Sequence, residues 1–444
     1  MRITLIKPKI GDLMNSAYID EARMEPLQLG VIAGFTPRNI EVKLYDDRAE
    51  KIPYDEPADI VAITVETFTA KRSYEISKEY MKRGIKVIMG GMHSTLFPEE
   101  VEEHADSVVI GDAEEVWPRI IKDFKNGKLK KRYYGKTEII QSNSIPRREL
   151  FKNKGYLKIS LMQFSRGCTN KCNFCATSRF FEGKHYCREI KEVIREIKEQ
   201  KLKIIFFVDD NIVANKIKAK ELFRQLIPLK IKWVSQASLD MLEDEELMRL
   251  MIKSGCLGHV IGFESIDLEN LESMQKSINI GHNFDFYKSA IKKLRAYGLQ
   301  TWAAFTVGHE GDTIDSIRRL ADWAIKNKFT FAAFNILMPY PNTPLYEKLK
   351  KEKRLLYEGK WWLHKDYRFN YASFIPKNMT PEELTEAAFN ARKKFNSYSS
   401  IFRRAFDFKT NMRSIEKFWI YLQYNPLFRR ETFKKQGMHL GKNL

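Results

Sequence analysis

Three cysteines fall within eight residues: Cys168, Cys172 and Cys175, in the segment RGCTNKCNFCATS. Their spacing is C-x3-C-x2-C. The chain holds five cysteines in all, the others being Cys187 and Cys256. An odd, sparse and clustered set is no disulfide framework; it suits metal ligation in a reducing cytosol. Three thiolates on one short loop can each take one iron of a cubane [4Fe–4S] cluster, since soft sulfur is the usual ligand of such clusters. With no fourth cysteine in the loop, one iron is left open for a substrate or cofactor, as chemistry rather than electron transfer requires. Counting alone leaves a structural zinc site open, because His185 or Cys187 could complete four ligands. Otherwise Cys187 and Cys256 read as small buried hydrophobes.

The loop follows an apolar run, LKISLMQF. Five more such runs follow before residue 350: KIIFFV, IKWVSQ, HVIGFE, TWAAFTV and FAAFNIL. Helical stretches lie between them. In residues 188–200, Ile190, Val193, Ile194 and Ile197 recur at i, i+3, i+4 and i+7, one apolar face. About six βα units over 156–350 predict an open, partial (β/α)6 barrel, whose site forms at the C-terminal ends of the strands. Those ends carry polar residues: Asp209 and Asp210 in VDDN, Gln236 in SQASLD, Glu264 and Ser265 in GFES. Each carboxylate reads equally as a helix N-cap or a surface ion pair.

Residues 1–125 alternate in the same way. ITLIKP, IEVKLYD, DIVAITVE, KVIMGG and SVVIGD are β-branched runs of the kind buried in a doubly wound, Rossmann-like parallel sheet. GGMHST, beginning at Gly90, and IGDAEE, beginning at Ile110, follow two of these strands. Glycines there let a ligand approach the backbone, although ordinary tight βα turns carry the same residues. Residues 126–155, with NGKLKKRYYGK, read as a linker. Residues 351–444 lose the βα rhythm and read as a mostly helical, basic region. There Trp361, Trp362, Tyr367 and Phe369 are expected either to line an apolar cavity or to form core. The fold class is α/β: a Rossmann-like domain, a partial barrel, then helices.

The formal net charge is +19, and from Arg392 onward thirteen Lys and Arg face three Asp and Glu, a net +10. Such a balance favours anionic cofactors, anionic lipid or nucleic acid, or a solvated surface. No RNA-binding module is recognisable, so no nucleic acid partner is expected. In the tail Phe418, Trp419, Tyr421, Leu422 and Phe428 interleave with Arg and Lys, a pattern that suits peripheral contact with an anionic membrane. No run approaches the roughly 18 apolar residues of a membrane span, and MRITLIKPKIGD lacks the apolar core of a signal peptide. The expected location is the cytoplasm, peripheral at the membrane surface.

On these motifs the chain resembles the radical S-adenosylmethionine family, whose loop is C-x3-C-x-aromatic-C. The resemblance covers about 155–350. It implies a [4Fe–4S] cluster held by Cys168, Cys172 and Cys175, with S-adenosylmethionine chelated at the open iron and cleaved to a 5′-deoxyadenosyl radical. Phe174 would lie near the adenine. Asp209, Asp210, Gln236, Glu264 and Ser265 would meet the cofactor's polar groups. Where VDDN stands, many members carry Gly-Gly-Glu, so an aspartate would have to substitute. Residues 1–125, with GG-x-H-x-T, PEE and G-x-x-E segments, resemble the cobalamin-binding half of cobalamin-dependent members, among them proteins acting on hopanoid lipids and tetrapyrroles. By that resemblance Thr64, Thr67, Gly90, Gly91, His93, Ser94, Gly111 and Glu114 would line cobalamin. None of the eight histidines follows Asp in the D-x-H-x-x-G order, so no histidine on cobalt is expected from that motif. Residues 1–167 contain no cysteine, which excludes the radical methylthiotransferases and their second cluster.

The expected activity is methyl transfer to an unactivated carbon of an apolar small molecule, with an external electron donor. The alternatives are a non-methylating cyclisation or rearrangement of a tetrapyrrole- or lipid-like substrate and, from another class, a non-catalytic cobalamin- or metal-binding sensor.

Overall fold

A computed structural model defines residues 1–13, 20–136, 145–200, 203–274 and 284–442. The chain divides into two compact units. One comprises residues 1–157, 357–369 and 438–444, the other 158–356 and 370–437.

The first unit is built on six parallel strands: β1 (Arg2–Lys7), β2 (Glu41–Asp46), β3 (Ile60–Thr64), β4 (Lys86–Gly90), β5 (Ser107–Ile110) and β6 (Arg132–Tyr134), in the order β2-β1-β3-β4-β5-β6. Every residue of β3, Ile-Val-Ala-Ile-Thr, is buried, as a central strand covered on both faces demands. Helices α1 (Leu27–Gly34), α2 (Ala70–Lys82), α3 (Met92–Leu96), α4 (Pro98–Glu102) and α5 (Trp117–Lys125) connect the strands. Strand order reverses between β1 and β3, and open α/β sheets bind ligands in the crevice at such a switch point.

The expected linker 126–155 is drawn into this unit. Arg132–Tyr134 forms the sheet's edge strand, paired with β5, and Phe151 joins the core. An edge strand needs only one buried face, which Tyr133 supplies, so a basic, polar composition did not preclude one. Residues 137–144 of that stretch lie outside the described residues.

The second unit carries β7 (Ser160–Met162), β8 (Ile204–Phe207), β9 (Lys232–Ala237), β10 (Cys256–Glu264), β11 (Gln300–Val307) and β12 (Phe331–Ile336). They pair in parallel and in strict sequence order, with β7 and β12 at the edges. This is the expected partial (β/α)6 barrel. Its helices are α6 (Ala176–Phe180), α7 (Ile190–Glu199), α8 (Lys216–Leu226), α9 (Glu245–Lys253), α10 (Leu268–Ser273), α11 (Phe284–Tyr297), α12 (Ile314–Lys326) and α13 (Pro344–Lys351). Several start on the side-chain caps their sequences supply: Asn215 for α8, Asp244 for α9, and the Thr313–Ser316 box for α12. One aromatic core, including Phe207, Trp233, Phe263, Phe305 and Phe334, runs through the unit.

Helices α14 (Pro381–Phe395), α15 (Tyr398–Ala405) and α16 (Ile415–Lys435) complete it. Arg404 on α15 is fully buried, with no acidic partner among the described residues. Its guanidinium instead donates to the carbonyls of Phe329, Thr330 and Phe395 and lies over the Phe395 ring.

Candidate active site

The cysteine loop leaves β7 and is gripped from several sides. Gly167 has φ of +82°, and a Cβ there would lie 2.2 Å from the Lys184 carbonyl oxygen. Only glycine fits immediately before Cys168. The Asn173 N–H donates to the Met274 carbonyl, and its side-chain amide to that of Ser273. Cys175 starts α6, and its N–H donates to the Cys172 carbonyl. Cys172 is buried, Cys168 and Cys175 partly so. Burial raises the Cys168 thiol above its ordinary pKa.

All three sulfur-bearing residues line one cavity of about 220 Å³ at the strand C-terminal ends, together with Phe174, Asp210, Gln236 and Glu264. The same cavity is lined by Asn170, Thr177, Asn211 and Ser238, which the sequence reading left unassigned. All four stand within the motif segments, Asn170 and Thr177 in the cysteine loop, Asn211 in VDDN and Ser238 in SQASLD, but the sequence singles out none of them for a role. Among the described residues, no three His, Cys, Asp or Glu side chains converge as ligands of a single metal ion. A closed zinc site needs four ligands on one ion, whereas a cubane asks each thiolate to reach a different iron. His185 and Cys187 sit on a short strand paired with 165–167 and do not line this cavity.

The strand-end carboxylates separate into two jobs. Asp210 lines the cavity; its carboxylate accepts from the Gly167 N–H at 2.8 Å and the Thr177 hydroxyl at 3.2 Å. It thereby ties the end of β8 to the cysteine loop. Asp209, by contrast, is completely buried. It accepts from the Phe164 N–H at 3.1 Å and from the N–H and hydroxyl of Ser165. Burial pushes it up to about 7 against those hydrogen bonds. Asp209 therefore has no face for a cofactor, and the expectation that it meets one is corrected: adjacent residues at a strand end point to opposite sides. Ser265 is corrected likewise. Its hydroxyl accepts from the Asp267 N–H and the Asn270 amide, as a turn residue does, and it does not line the cavity. The Gln236 amide donates to the Asp209 carbonyl at 3.2 Å, which leaves its oxygen for a ligand. Glu264 ends β10 with φ of +62°, a conformation non-glycine residues adopt at a cost and often at functional sites.

In the first unit the loop after β4 presses against the switch point. Gly91 has φ of +116°, and a Cβ there would sit 2.8 Å from the Val65 carbonyl oxygen and 3.3 Å from the Thr64 hydroxyl. The Ser94 hydroxyl is buried without a hydrogen-bond partner, an orphan that a ligand's polar group could satisfy. Gly90 and Glu114 lie on the same set of strand ends. Thr95, the last residue of the GG-x-H-x-T segment, bridges two loops by donating to the Gly91 carbonyl and accepting from the Gly111 N–H. Gly111 is glycine because a Cβ would meet the Gly135 carbonyl at 2.5 Å, so the neighbouring chain demands it. Packing against neighbouring backbone accounts for both glycines, and the orphaned Ser94 hydroxyl is the feature of these loops that fits a bound ligand.

His93 does not fit that role. It is wholly buried, with Nδ1 3.2 Å from the Thr67 hydroxyl and Nε2 3.2 Å from Glu100 Oε1. Both nitrogens are occupied inside the protein, and Thr67 is spent with them. Glu100 also accepts from Tyr74 at 3.0 Å and from the Trp362 indole at 2.9 Å, and pairs with Lys360 at 3.1 Å. Burial alone would raise its pKa; the hydrogen bonds from His93, Trp362 and Lys360 hold it at about 2. Trp361, Trp362 and Tyr367 are fully buried, with Trp361 against Phe68 and Trp362 against His93 and Phe97. They are core of this unit, and Phe369 packs on Phe68 beside them.

Comparison with known proteins agrees with both halves. Residues 162–324 match the Radical SAM superfamily, and residues 21–121 match the B12 binding domain. The bacteriochlorophyllide d C-12(1)-methyltransferase of Chlorobaculum tepidum is 28% identical over 90% of this chain and 88% of its own length. The C-8(2)-methyltransferase of the same organism is 29% identical over 86% and 92%. In fold, the chain is similar to the radical S-adenosylmethionine methyltransferase TsrM from Kitasatospora setae, solved with cobalamin and a [4Fe–4S] cluster (TM-score 0.64, 17% identity, 79% of this chain and 78% of that one). The cobalamin-dependent radical enzyme OxsB aligns at TM-score 0.63 and 14% identity, over 97% of this chain and 71% of that one. The chain thus carries a radical S-adenosylmethionine domain preceded by a B12-binding domain.

Proposed function

We propose that this enzyme transfers a methyl group to an unactivated carbon of an apolar, tetrapyrrole-like small molecule. The carrying observation is the single cavity that gathers Cys168, Cys172, Cys175, Phe174, Asp210 and Glu264 at the strand ends. When bound, the cluster supplies the electron that cleaves S-adenosylmethionine to a 5′-deoxyadenosyl radical, and cobalamin carries the methyl group.

The chain's own residues do the rest. The three cysteines hold the cluster and leave one iron open. Asp210 steadies the loop through the Gly167 N–H and offers negative charge to the methionine ammonium group, a task Glu264 shares. Gln236 presents its amide oxygen, and Phe174 flanks the adenine. In the first unit Thr64, Gly90, Gly91 and Ser94, at the strand ends beside the switch point, are the residues that would receive cobalamin, with the orphaned Ser94 hydroxyl as a polar contact. The tetrapyrrole class rests on the two Chlorobaculum methyltransferases, and an external donor must supply the electron.

The test is anaerobic turnover with reductant and S-adenosylmethionine labelled in its methyl group. A product heavier by one labelled methylene unit, with 5′-deoxyadenosine and S-adenosylhomocysteine, supports methyl transfer. A second reading, cyclisation, is favoured by the anaerobic magnesium-protoporphyrin IX monomethyl ester cyclase of Cereibacter sphaeroides, 24% identical over 81% of this chain and 63% of that one. It predicts loss of hydrogen or gain of oxygen and no label. A passive sensor predicts no 5′-deoxyadenosine at all.

A further inference from the structure

Large exposed hydrophobic residues concentrate on one stretch of the second unit. On and after α15, Phe402, Phe406 and Phe408 stand in solvent; on α16, Ile415, Trp419 and Leu422 do so, with Ile415 79% and Trp419 59% exposed. Phe402 and Phe406 pack edge to face on each other. Ile415, Trp419 and Leu422 recur at i, i+4 and i+7, one side of the helix. The other side is spent: Tyr421 is buried and donates to the Ile401 carbonyl, Phe418 packs on the same small core, and Phe428 packs on Trp302 and Phe331. Of the five tail residues expected to face a membrane, Trp419 and Leu422 are thus the ones exposed.

The charge among these residues is one-sided. Arg403, Lys409 and Arg413 are exposed. The two acids between 398 and 422 are engaged elsewhere in the unit: Asp407 is buried against Arg295 at 2.9 Å, and Glu416 pairs with Lys232 at 3.4 Å. The scaffold beneath is fixed by the Arg404 fork. Among the described residues, no helix is long and apolar enough to cross a membrane.

We propose that α15, α16 and the turn between them form a docking surface for an anionic membrane. Aromatic and aliphatic side chains would enter the headgroup–acyl boundary while the cations meet lipid phosphates. A second copy of this chain is the poorer occupant, because a two-fold pairing would set Arg and Lys of each copy against their like. This surface goes beyond the methyl-transfer reading and does not depend on it, since binding is measured without turnover.

The experiment floats the full-length, cofactor-loaded protein with phosphatidylcholine vesicles, with and without phosphatidylglycerol. Binding to the anionic vesicles alone, weakened by salt, is expected. Arg403→Gln, Lys409→Gln and Arg413→Gln together should weaken it on the order of a hundredfold, from about fivefold per cation at such a surface. Ile415→Ser, Trp419→Ser and Leu422→Ser together should weaken it at least about tenfold by lost apolar burial, with 5′-deoxyadenosine formation unchanged in both variants. Absence of binding at low salt by folded protein overturns the proposal, as does equal binding to neutral vesicles. Concentration-dependent dimerisation that the serine variant abolishes, without vesicle binding, would assign the face to a second copy instead.

Discussion

Glu100 is the residue whose loss the structure prices most sharply. It is 4% exposed and holds four partners: Tyr74, His93, Trp362 and Lys360. Its folded pKa, about 2 against an ordinary 4.5, corresponds to about 3 kcal/mol of stabilisation by the ionised form. A depressed pKa contributes fully above the unfolded value and is lost as pH falls through the folded one. The contact should therefore hold above pH about 4.5 and loosen between there and about 2. Replacing Trp362 by Phe removes one hydrogen bond to a buried carboxylate and keeps the ring, at a cost of about 2 kcal/mol. Glu100→Gln also strips the charge facing Lys360 and should cost about 3 kcal/mol. The assay is hydrogen exchange of peptides from 357–369 in the full-length protein. Trp362→Phe should speed their exchange about thirtyfold, by the conversion of 1.36 kcal/mol per tenfold. The double variant should fall short of the sum, because both changes break one contact. Exchange of 357–369 identical to wild type in Glu100→Gln would refute the idea that this carboxylate anchors the segment.

Three further outcomes follow from geometry. Cys172→Ala should abolish iron incorporation and 5′-deoxyadenosine formation while Cys187→Ala leaves both largely intact, read by iron content and product chromatography; equal loss in both would revive a four-ligand site. The paramagnetic resonance spectrum of the cob(II)alamin form should lack nitrogen superhyperfine splitting, since both His93 nitrogens are engaged; splitting that vanishes in His93→Gln would contradict this. Asp209→Ala strands three donors from Phe164 and Ser165 and should lower stability by about 3 kcal/mol, seen as a reduced urea midpoint, whereas Asp210→Ala should chiefly weaken S-adenosylmethionine binding.

The cysteine loop was legible because its chemistry is written in local spacing. The barrel was legible because six apolar runs alternate with capped helices. Asp209 and Asp210 could not be told apart, because what distinguishes them is a partner 44 residues away, Ser165. The sequence leaves Trp361 and Trp362 open between pocket lining and core for a similar reason: their neighbours, Phe68 and His93, belong to a distant part of the chain. In the tail, Tyr421 and Trp419 differ in no sequence property that decides which faces inward. Only the position of Ile401 decides it. Strand β6 was hidden by its basic composition, since an edge strand buries one face in a three-residue run.

The first unit takes its last pieces from far along the chain. Residues 357–369 supply Trp362 to Glu100 across 262 positions, and His439–Leu440 pairs with Gly11–Asp12. During synthesis, the N-terminal sheet must therefore wait while the whole barrel is translated before its own packing can finish. Loop closure over such a span adds entropy only logarithmically, but it delays the event in time, leaving Phe68 and Phe97 without their Trp partners meanwhile. A fragment cut after residue 157 would carry the β2-β1-β3-β4-β5-β6 sheet yet expose that apolar seat. Expressed alone, it is expected to aggregate unless 357–369 is supplied in trans.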